Sequence, residues 1–161
     1  MYRNGSTKRT SQPKVKYFQL LRMQGFKMIK KDGEEIHFKF YLDEAPVTCK
    51  AFQEILPFTR VFYHARVSGL EIWIDDVPAL DIIQENASVF AEPGEVVVGP
   101  SKPTRVKTAN CFGIYYGEGK GLDAANIFAR VIDADMKKLE ELGDSIWKDG
   151  PQELRIEALK E

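Results

Sequence analysis

Residues 26–42 read FKMIKKDGEEIHFKFYL, and this stretch indicates how the fold begins. Asp32 and Gly33 both tolerate positive φ, so we expect two strands joined by a tight hairpin around them. In the second run Ile36 and Phe38 alternate with polar residues, which predicts one side that faces a core. The ordered chain is therefore expected to begin as an antiparallel sheet.

Residues 44–57, EAPVTCKAFQEILP, change to helical spacing directly after this hairpin. Pro46 suits the first turn of a helix, apolar residues fall on one side, and Pro57 ends the pattern. A second short helix is predicted in DADMKKLEELG (133–143), with Gly143 as its C-terminal cap.

Further strand-like runs are EVVVGP (95–100), KTANCFGIYYG (107–117), NIFARVID (126–133) and ELRIEAL (153–159). In KTANCFGIYYG, alternation puts Phe112 and Tyr116 on one face and Gly113 and Tyr115 on the other. Many short strands with two helices predict a mainly β protein. The pattern favours an antiparallel barrel, closed or nearly closed, with the helices packed at its ends.

Residues 60–74, RVFYHARVSGLEIWI, predict a second hairpin. If Ser68 and Gly69 form a two-residue turn, the register of the two strands is fixed. One face then becomes apolar and belongs in a core. Its members are Tyr63, Ala65, Val67, Leu70, Ile72 and Ile74.

The opposite face of this hairpin then carries Arg66 across from Glu71 and His64 across from Trp73. It is either a solvated sheet surface with an ion pair or the wall of a pocket, and the Trp73 ring favours the pocket. The guanidinium group of Arg66, with its several N–H donors, can bind a carboxylate or a carbonyl. His64, with an ordinary pKa of about 6.5, can donate or accept a proton.

The composition indicates one soluble globular domain, because the 161 residues are 43% hydrophobic and 29% charged. Cys49 and Cys111 lack CxxC spacing, which argues against a zinc site or a disulfide scaffold and suits a cytoplasmic location. With two histidines in the chain, no metal site and no cofactor is expected. No apolar run approaches the ~18 residues of a membrane span, so no membrane partner is expected.

Charge is distributed unevenly along the chain. Residues 1–31 hold nine of the 23 Lys and Arg and no acid, which leaves 14 basic and all 24 acidic residues, a net of −10, for the rest. Residues 1–25 are polar without periodicity, so a disordered basic tail is predicted before a single domain at 26–161. Met23 and Met28 offer alternative translation starts. A disordered tail is the stronger interpretation, and nucleic acid is not the expected partner.

The order of these features resembles the cyclophilin-like fold over about residues 26–161. The helix at 44–57 is similar to the first helix of that fold. Its central strand pair is similar to PGEVVVGP with NCFGIYYG, and its late strand and helix are similar to LDAANIFARVIDADMKKLEELG. HARVSGLEIW and ENASVFAEPGE resemble an uncharacterised prokaryotic branch, a domain of unknown function. The resemblance implies a closed antiparallel barrel of about eight strands, capped by two short helices.

The resemblance also implies positions for a site. Arg66 matches the catalytic Arg that cyclophilin isomerases place before a Gly-containing turn. Their Gln-Gly-Gly is missing, and Trp73 stands about where the Gln would be. The phenylalanine on the floor of the proline pocket maps onto Phe112 or Gly113, and the late-loop Trp and His are absent.

Three functions remain open from the sequence. The first is binding of a small molecule or short peptide in a cleft lined by the 62–75 hairpin, with Arg66 as the candidate catalytic residue. The expected ligand-binding residues are His64, Glu71, Trp73, Asn86, Phe112 and Tyr115. Asn86 has a turn-capping role as its alternative. The second function is prolyl cis–trans isomerisation, and the third is a non-enzymatic homo-oligomeric interaction module. A serine hydrolase is disfavoured because no serine has a G-x-S-x-G context.

Overall fold

The computed structural model describes residues 24–102 and 107–159. The strands are β1 (Gly25–Ile29), β2 (Glu35–Phe40), β3 (Phe58–His64), β4 (Gly69–Ile74), β5 (Ala87–Ser88), β6 (Glu95–Val98), β7 (Phe112–Gly119), β8 (Ala125–Val131) and β9 (Gln152–Ala158). The helices are α1 (Pro46–Glu54) and α2 (Met136–Asp149), and a short 3-10 turn at Asp133–Asp135 leads into α2. The predicted tail lies almost wholly outside the described residues, and β1 takes in Gly25.

Eight of these strands form a closed antiparallel barrel. Their order is β2-β1-β9-β3-β4-β7-β6-β8, and β8 pairs again with β2 to complete the ring. The two-residue strand β5 pairs with β8 outside this ring. The expected mainly β barrel with two helices is confirmed.

The predicted first hairpin forms with the expected faces. Gly33 adopts φ +91°, and the Lys30 N–H donates to the Glu34 carbonyl oxygen at 3.0 Å across the turn. Ile36 and Phe38 are fully buried. The Asp-Gly signal and the alternation in this stretch therefore located both strands.

The barrel interior is filled largely by phenylalanine. The Phe26 and Phe38 rings stack with their centroids 4.7 Å apart. Phe52, from α1, covers this interior and lies 4.9 Å from the Phe128 ring and 5.2 Å from the Phe112 ring. α1 is therefore an integral part of the core.

The second helix is longer than its sequence pattern indicated. α2 continues through Gly143 to Asp149, so the expectation that Gly143 caps it was wrong. Gly143 instead makes room for an aromatic ring, because a Cβ there would lie 2.2 Å from the Tyr116 Cδ1 atom. Gly150, with φ +101°, follows the helix at the position where glycine is favoured.

Candidate functional site

The register of the β3–β4 hairpin differs by one residue from the expected register. Tyr63 pairs with Trp73, and His64 pairs with Ile72. The predicted pairing of His64 with Trp73 was therefore wrong. Since side chains alternate along a strand, a one-residue change moves each side chain to the other face relative to its partner strand.

The connection between the two strands explains this difference. The Ala65 N–H donates to the Glu71 carbonyl oxygen at 2.9 Å, so five residues separate the last bonded pair. Gly69 has φ +100° and already belongs to β4, where a bulge separates it from Glu71. The carbonyl oxygen of the buried Ser68 accepts the N–H of Lys120, the residue that follows β7, at 2.8 Å. The turn is thus longer than the two residues predicted.

The predicted apolar face is divided by this register. Ile72 and Ile74 are buried in the core, whereas Tyr63 is 52% exposed and Val67 is 74% exposed. The prediction that Tyr63 and Val67 lie in the core was wrong, because it assumed a two-residue turn.

A cleft lies on the outer face of the sheet formed by β4, β7, β6 and β8. Its volume is about 710 Å³. A small apolar cluster outside the main core, which includes Val97, Tyr115 and Ala125, forms its floor. Loop residues close the sides, among them Val89, Ala91, Lys107, Thr108, Gly121, Leu122 and Asp123.

Glu71 extends over the floor of this cleft. The Ser68 hydroxyl donates to the Glu71 Oε1 atom at 2.6 Å, and the Tyr115 hydroxyl lies near enough to the carboxyl to interact with it. The carboxyl occupies the space above Gly113, where an added Cβ would lie 2.1 Å from Oε2. Desolvation raises the pKa of Glu71, and the two hydroxyl groups oppose that rise in part.

Burial also affects the two other titratable groups beside Glu71. It raises the pKa of the Tyr115 phenol, and the Glu71 charge adds to that rise. Burial raises the pKa of the Cys111 thiol to about 11, with the charges of Asp75 and Glu71 as further causes. Tyr115 and Cys111 are therefore neutral at pH 7.

Arg66 lies at the rim of the cleft, in the connection between β3 and β4 and not on the strand where it was expected. Its side chain is exposed. Within residues 24–102 and 107–159, the guanidinium makes no hydrogen bond and no ion pair. No described residue therefore occupies the guanidinium donors of Arg66, which can bind a ligand.

Trp73 and His64 line the same cavity from opposite sides of the hairpin. Trp73 stands beside Gly113 on the floor side. His64 lies at the end near α2, where its Nε2 atom is 2.7 Å from the Tyr116 hydroxyl and its ring lies 4.7 Å from that of Trp147.

Two expected ligand-binding residues lie outside the cleft. Phe112 is fully buried in the barrel core because β7 points it inward, and Gly113 takes the floor position instead. Asn86 donates from Nδ2 to the Ile127 carbonyl oxygen at 2.8 Å and adopts φ +46°. Its role is that of a turn residue, which was the alternative considered for it.

Ser68 was not assigned to the site from the sequence, and Gly113 was named only as one of two positions for the pocket-floor phenylalanine. Alternation along β7 was sufficient to place Gly113 on the Tyr115 face. No comparable signal marked Ser68, because its position depends on the bulge and on its bond to Lys120.

The described part of the chain offers no metal centre of the usual kind. No group of three or more His, Cys, Asp or Glu side chains in residues 24–102 and 107–159 is arranged to hold a metal ion. In the same residues, neither helix has the length and apolar character needed to cross a bilayer.

The chain belongs to the protein family described as "Protein of unknown function (DUF3830)", whose model matches residues 28–158. No curated protein matches the chain in sequence.

Several solved structures share the fold. A structure of McbB in complex with tryptophan has a TM-score of 0.68 and 18% identity, covering 84% of this chain and 45% of McbB. A hypothetical protein from Archaeoglobus fulgidus has a TM-score of 0.57 and 15% identity, covering 86% of this chain and 96% of its own. A cyclophilin-type peptidyl-prolyl cis-trans isomerase from Cryptosporidium parvum, in the presence of the dipeptide Ala-Pro, has a TM-score of 0.56 and 16% identity, covering 86% and 100%.

At such identities these similarities establish the cyclophilin-like fold and nothing finer. The chain spans less than half of McbB.

Proposed function

We propose that this member of the DUF3830 family binds a small molecule or short peptide that carries a carboxylate, in the cleft beside the 62–75 hairpin. The observation that carries the proposal is Arg66, an exposed guanidinium at the rim that has no partner in the described residues. A bidentate pair between guanidinium and carboxylate is among the stronger polar contacts in proteins.

The shape and lining of the cleft support a ligand with an apolar body. Its volume of about 710 Å³ lies within the roughly 300–1,000 Å³ that ligand pockets occupy. The Trp73 ring, Val97 and Ala125 offer apolar contact surface on the floor side. A planar or hydrophobic ligand that extends a carboxylate to the rim would use both features.

The structural neighbours supply probes for the test. McbB is in complex with tryptophan, and the cyclophilin-type isomerase was crystallised in the presence of Ala-Pro. Both molecules carry a free carboxylate, and for each an amide derivative exists in which the negative charge is removed. For this chain they are compounds to test, and its own ligand is expected to combine a carboxylate with an apolar body in the same way.

The test is calorimetric titration of L-tryptophan and Ala-Pro into the wild type and Arg66→Ala. We expect binding that weakens about ten- to a hundredfold in Arg66→Ala, since a hydrogen bond to a charged group contributes roughly 1.5–3 kcal/mol. Tryptophanamide and Ala-Pro-amide should bind weakly to both proteins. Arg155→Ala is the matched control, because Arg155 is exposed on β9 and does not line the cleft. Equal affinity in Arg66→Ala and the wild type would refute the proposal.

Prolyl isomerisation is a second candidate, favoured by the position of Arg66 at the cleft rim. Two features weaken it, because Gly113 and not a phenylalanine lies on the floor and the Glu71 carboxyl fills the space above that glycine. NMR exchange measured on an X-Pro peptide should therefore show the spontaneous rate. An acceleration that disappears in Arg66→Ala would support the isomerase instead.

A further inference from the structure

Glu71 is an acid on an apolar floor, and no cation of the described residues is paired with it. Among residues 24–102 and 107–159, no Lys, Arg or His forms an ion pair with it. Its carboxyl is packed over the backbone of Gly113, and Val97 of β6 packs against the same glycine. A carboxyl group moved out of water usually has a partner of opposite charge, because the desolvation of an unpaired carboxylate is costly.

The groups that do hold the Glu71 carboxyl are both uncharged. The Ser68 hydroxyl donates to it at 2.6 Å, and Tyr115 approaches it from β7. The Ser68 bond orients the carboxyl, and neither neighbour supplies a positive charge from the described residues. The carboxyl also lines the cleft, so a ligand in the cleft can reach it.

We infer that Glu71 binds the ammonium group of the ligand whose carboxylate Arg66 binds, so that the cleft recognises an amine-bearing carboxylate such as an α-amino acid or a dipeptide. The inference rests on the proposed function and adds the second charged group of the ligand. A cation at the rim and an acid on the floor match a zwitterion, whereas a simple carboxylate would leave Glu71 uncompensated.

Binding of such a ligand is coupled to a proton. Burial raises the pKa of Glu71 in the free protein, and a bound ammonium favours the ionised form and lowers that pKa again. The affinity for an ammonium ligand should therefore rise with pH, by up to about tenfold per pH unit, until the free-protein pKa is passed. Above that pH the affinity should be constant.

Most of the other titratable groups in the cleft do not reproduce this behaviour, and the Glu71→Gln variant distinguishes Glu71 from His64, which also lines the cleft. Tyr115 and Cys111 interact with Glu71, and both stay neutral through this range because burial raises their pKa. Arg66 and Lys107 lie on the rim and are the basic residues there. Asp123 is also on the rim, and its pKa is lowered by the backbone N–H groups of Lys107 and Ala124, so it stays ionised.

The experiment compares ligands that differ in the amine alone, on the wild type, Glu71→Gln and Glu118→Gln from pH 5 to 8. The pairs are L-tryptophan with indole-3-propionate, and Ala-Pro with N-propionyl-proline. Glu118→Gln is the matched control, because Glu118 is exposed on β7 and does not line the cleft. Calorimetry in two buffers of different ionisation enthalpy measures the proton released.

We expect the amine-bearing ligand of a pair to bind the wild type at least tenfold more tightly, with an affinity that rises with pH and a proton released. Glu71→Gln should remove both the preference and the pH dependence, while Glu118→Gln should keep both. Equal binding within both pairs overturns the inference and leaves the proposed function intact. The comparison within a pair uses the wild type, so it does not depend on how the variant folds. If no carboxylate in either pair binds, both the proposed function and the inference fail.

Discussion

Gly113 decides where the Glu71 carboxyl can lie. Trp73 pairs with Gly113 across the β4–β7 ladder, and the absence of a side chain at Gly113 opens the space that the carboxyl occupies. At the residue scale, the position of the Glu71 carboxyl on the floor of the cleft therefore depends on residue 113 being glycine and having no Cβ.

Gly113→Ala should displace this carboxyl. The added Cβ would lie 2.1 Å from the Glu71 Oε2 atom, the far end of a flexible side chain, so the barrel should still fold. In the wild type the raised pKa of Glu71 gives a contribution to the free energy of unfolding that is present below the ordinary Glu pKa and is lost as pH rises through the folded value. In Gly113→Ala the Glu71 carboxyl moves toward water, so this decrease in the free energy of unfolding with rising pH should be absent.

Thermal unfolding measured between pH 4 and pH 8 tests this expectation. Gly117→Ala is the matched control, because its Cβ would meet the Leu70 side chain at 2.5 Å and no charged group. The two variants should differ in the pH dependence of their melting temperatures. A Gly113→Ala curve parallel to that of the wild type would contradict this account of Glu71.

At the scale of elements, α1 is fixed by residues distant in sequence. Ala45 provides no side-chain cap, and Glu85 accepts the Thr48 backbone N–H at 2.8 Å and the Thr48 hydroxyl at 2.7 Å instead. The fully buried Asn126 of β8 accepts the Glu85 N–H at 3.0 Å and donates to the Ile83 carbonyl oxygen at 2.8 Å. This network joins the start of the helix to the barrel.

Asn126→Ala should therefore destabilise the fold without changing the cleft chemistry. It removes the hydrogen bonds of the partly buried Glu85 N–H and Ile83 carbonyl, and an unpaired polar group held away from water costs up to about 1–3 kcal/mol. Chemical denaturation measures the loss, with Gln84→Ala, at an exposed position in the same loop, as the control. A loss no greater than that of the control would show that the network is dispensable.

The elements themselves could be predicted from the sequence, and the register of the site hairpin could not. The Asp32-Gly33 turn stands between two clear strands and folded as expected. Ser68-Gly69 has the same local appearance, but its conformation depends on Lys120 and on the bulge opposite Gly119, both of which lie about 50 residues away. Local turn chemistry therefore identified a hairpin here and predicted the faces of β4, but it placed the β3 side chains on the wrong face.

At the scale of the whole molecule, the barrel could be predicted because each strand has its own alternation and the order of the elements resembles that of a known fold. The cleft is harder, because β4, β6, β7 and β8 and three loops form it together. Arg66, Trp73 and Tyr115 could be proposed from the hairpin and the resemblance. The burial of Glu71 over Gly113 could not, since it depends on which strands are neighbours.

The core depends on α1 as a plug for the barrel. Phe52 is fully buried, and its ring lies 5.1 Å from that of Phe26. Phe52→Ala should cost about 3–5 kcal/mol, a large part of the stability of an ordinary domain. Urea denaturation should show this loss, with a change within about 0.5 kcal/mol for Phe90→Ala, whose side chain is 66% exposed. A similar small change in both variants would mean that the core tolerates loss of the Phe52 ring.

The two cysteines of the chain differ in a way that makes the cleft observable. Cys49 is 1% exposed, and its pKa is raised by burial to about 12. Cys111 is partly buried and lines the cleft. A small alkylating reagent should therefore modify Cys111 first, and a ligand that fills the cleft should slow that reaction. The unmodified chain thus carries its own occupancy reporter, with which compound libraries can be screened by mass spectrometry without an added label.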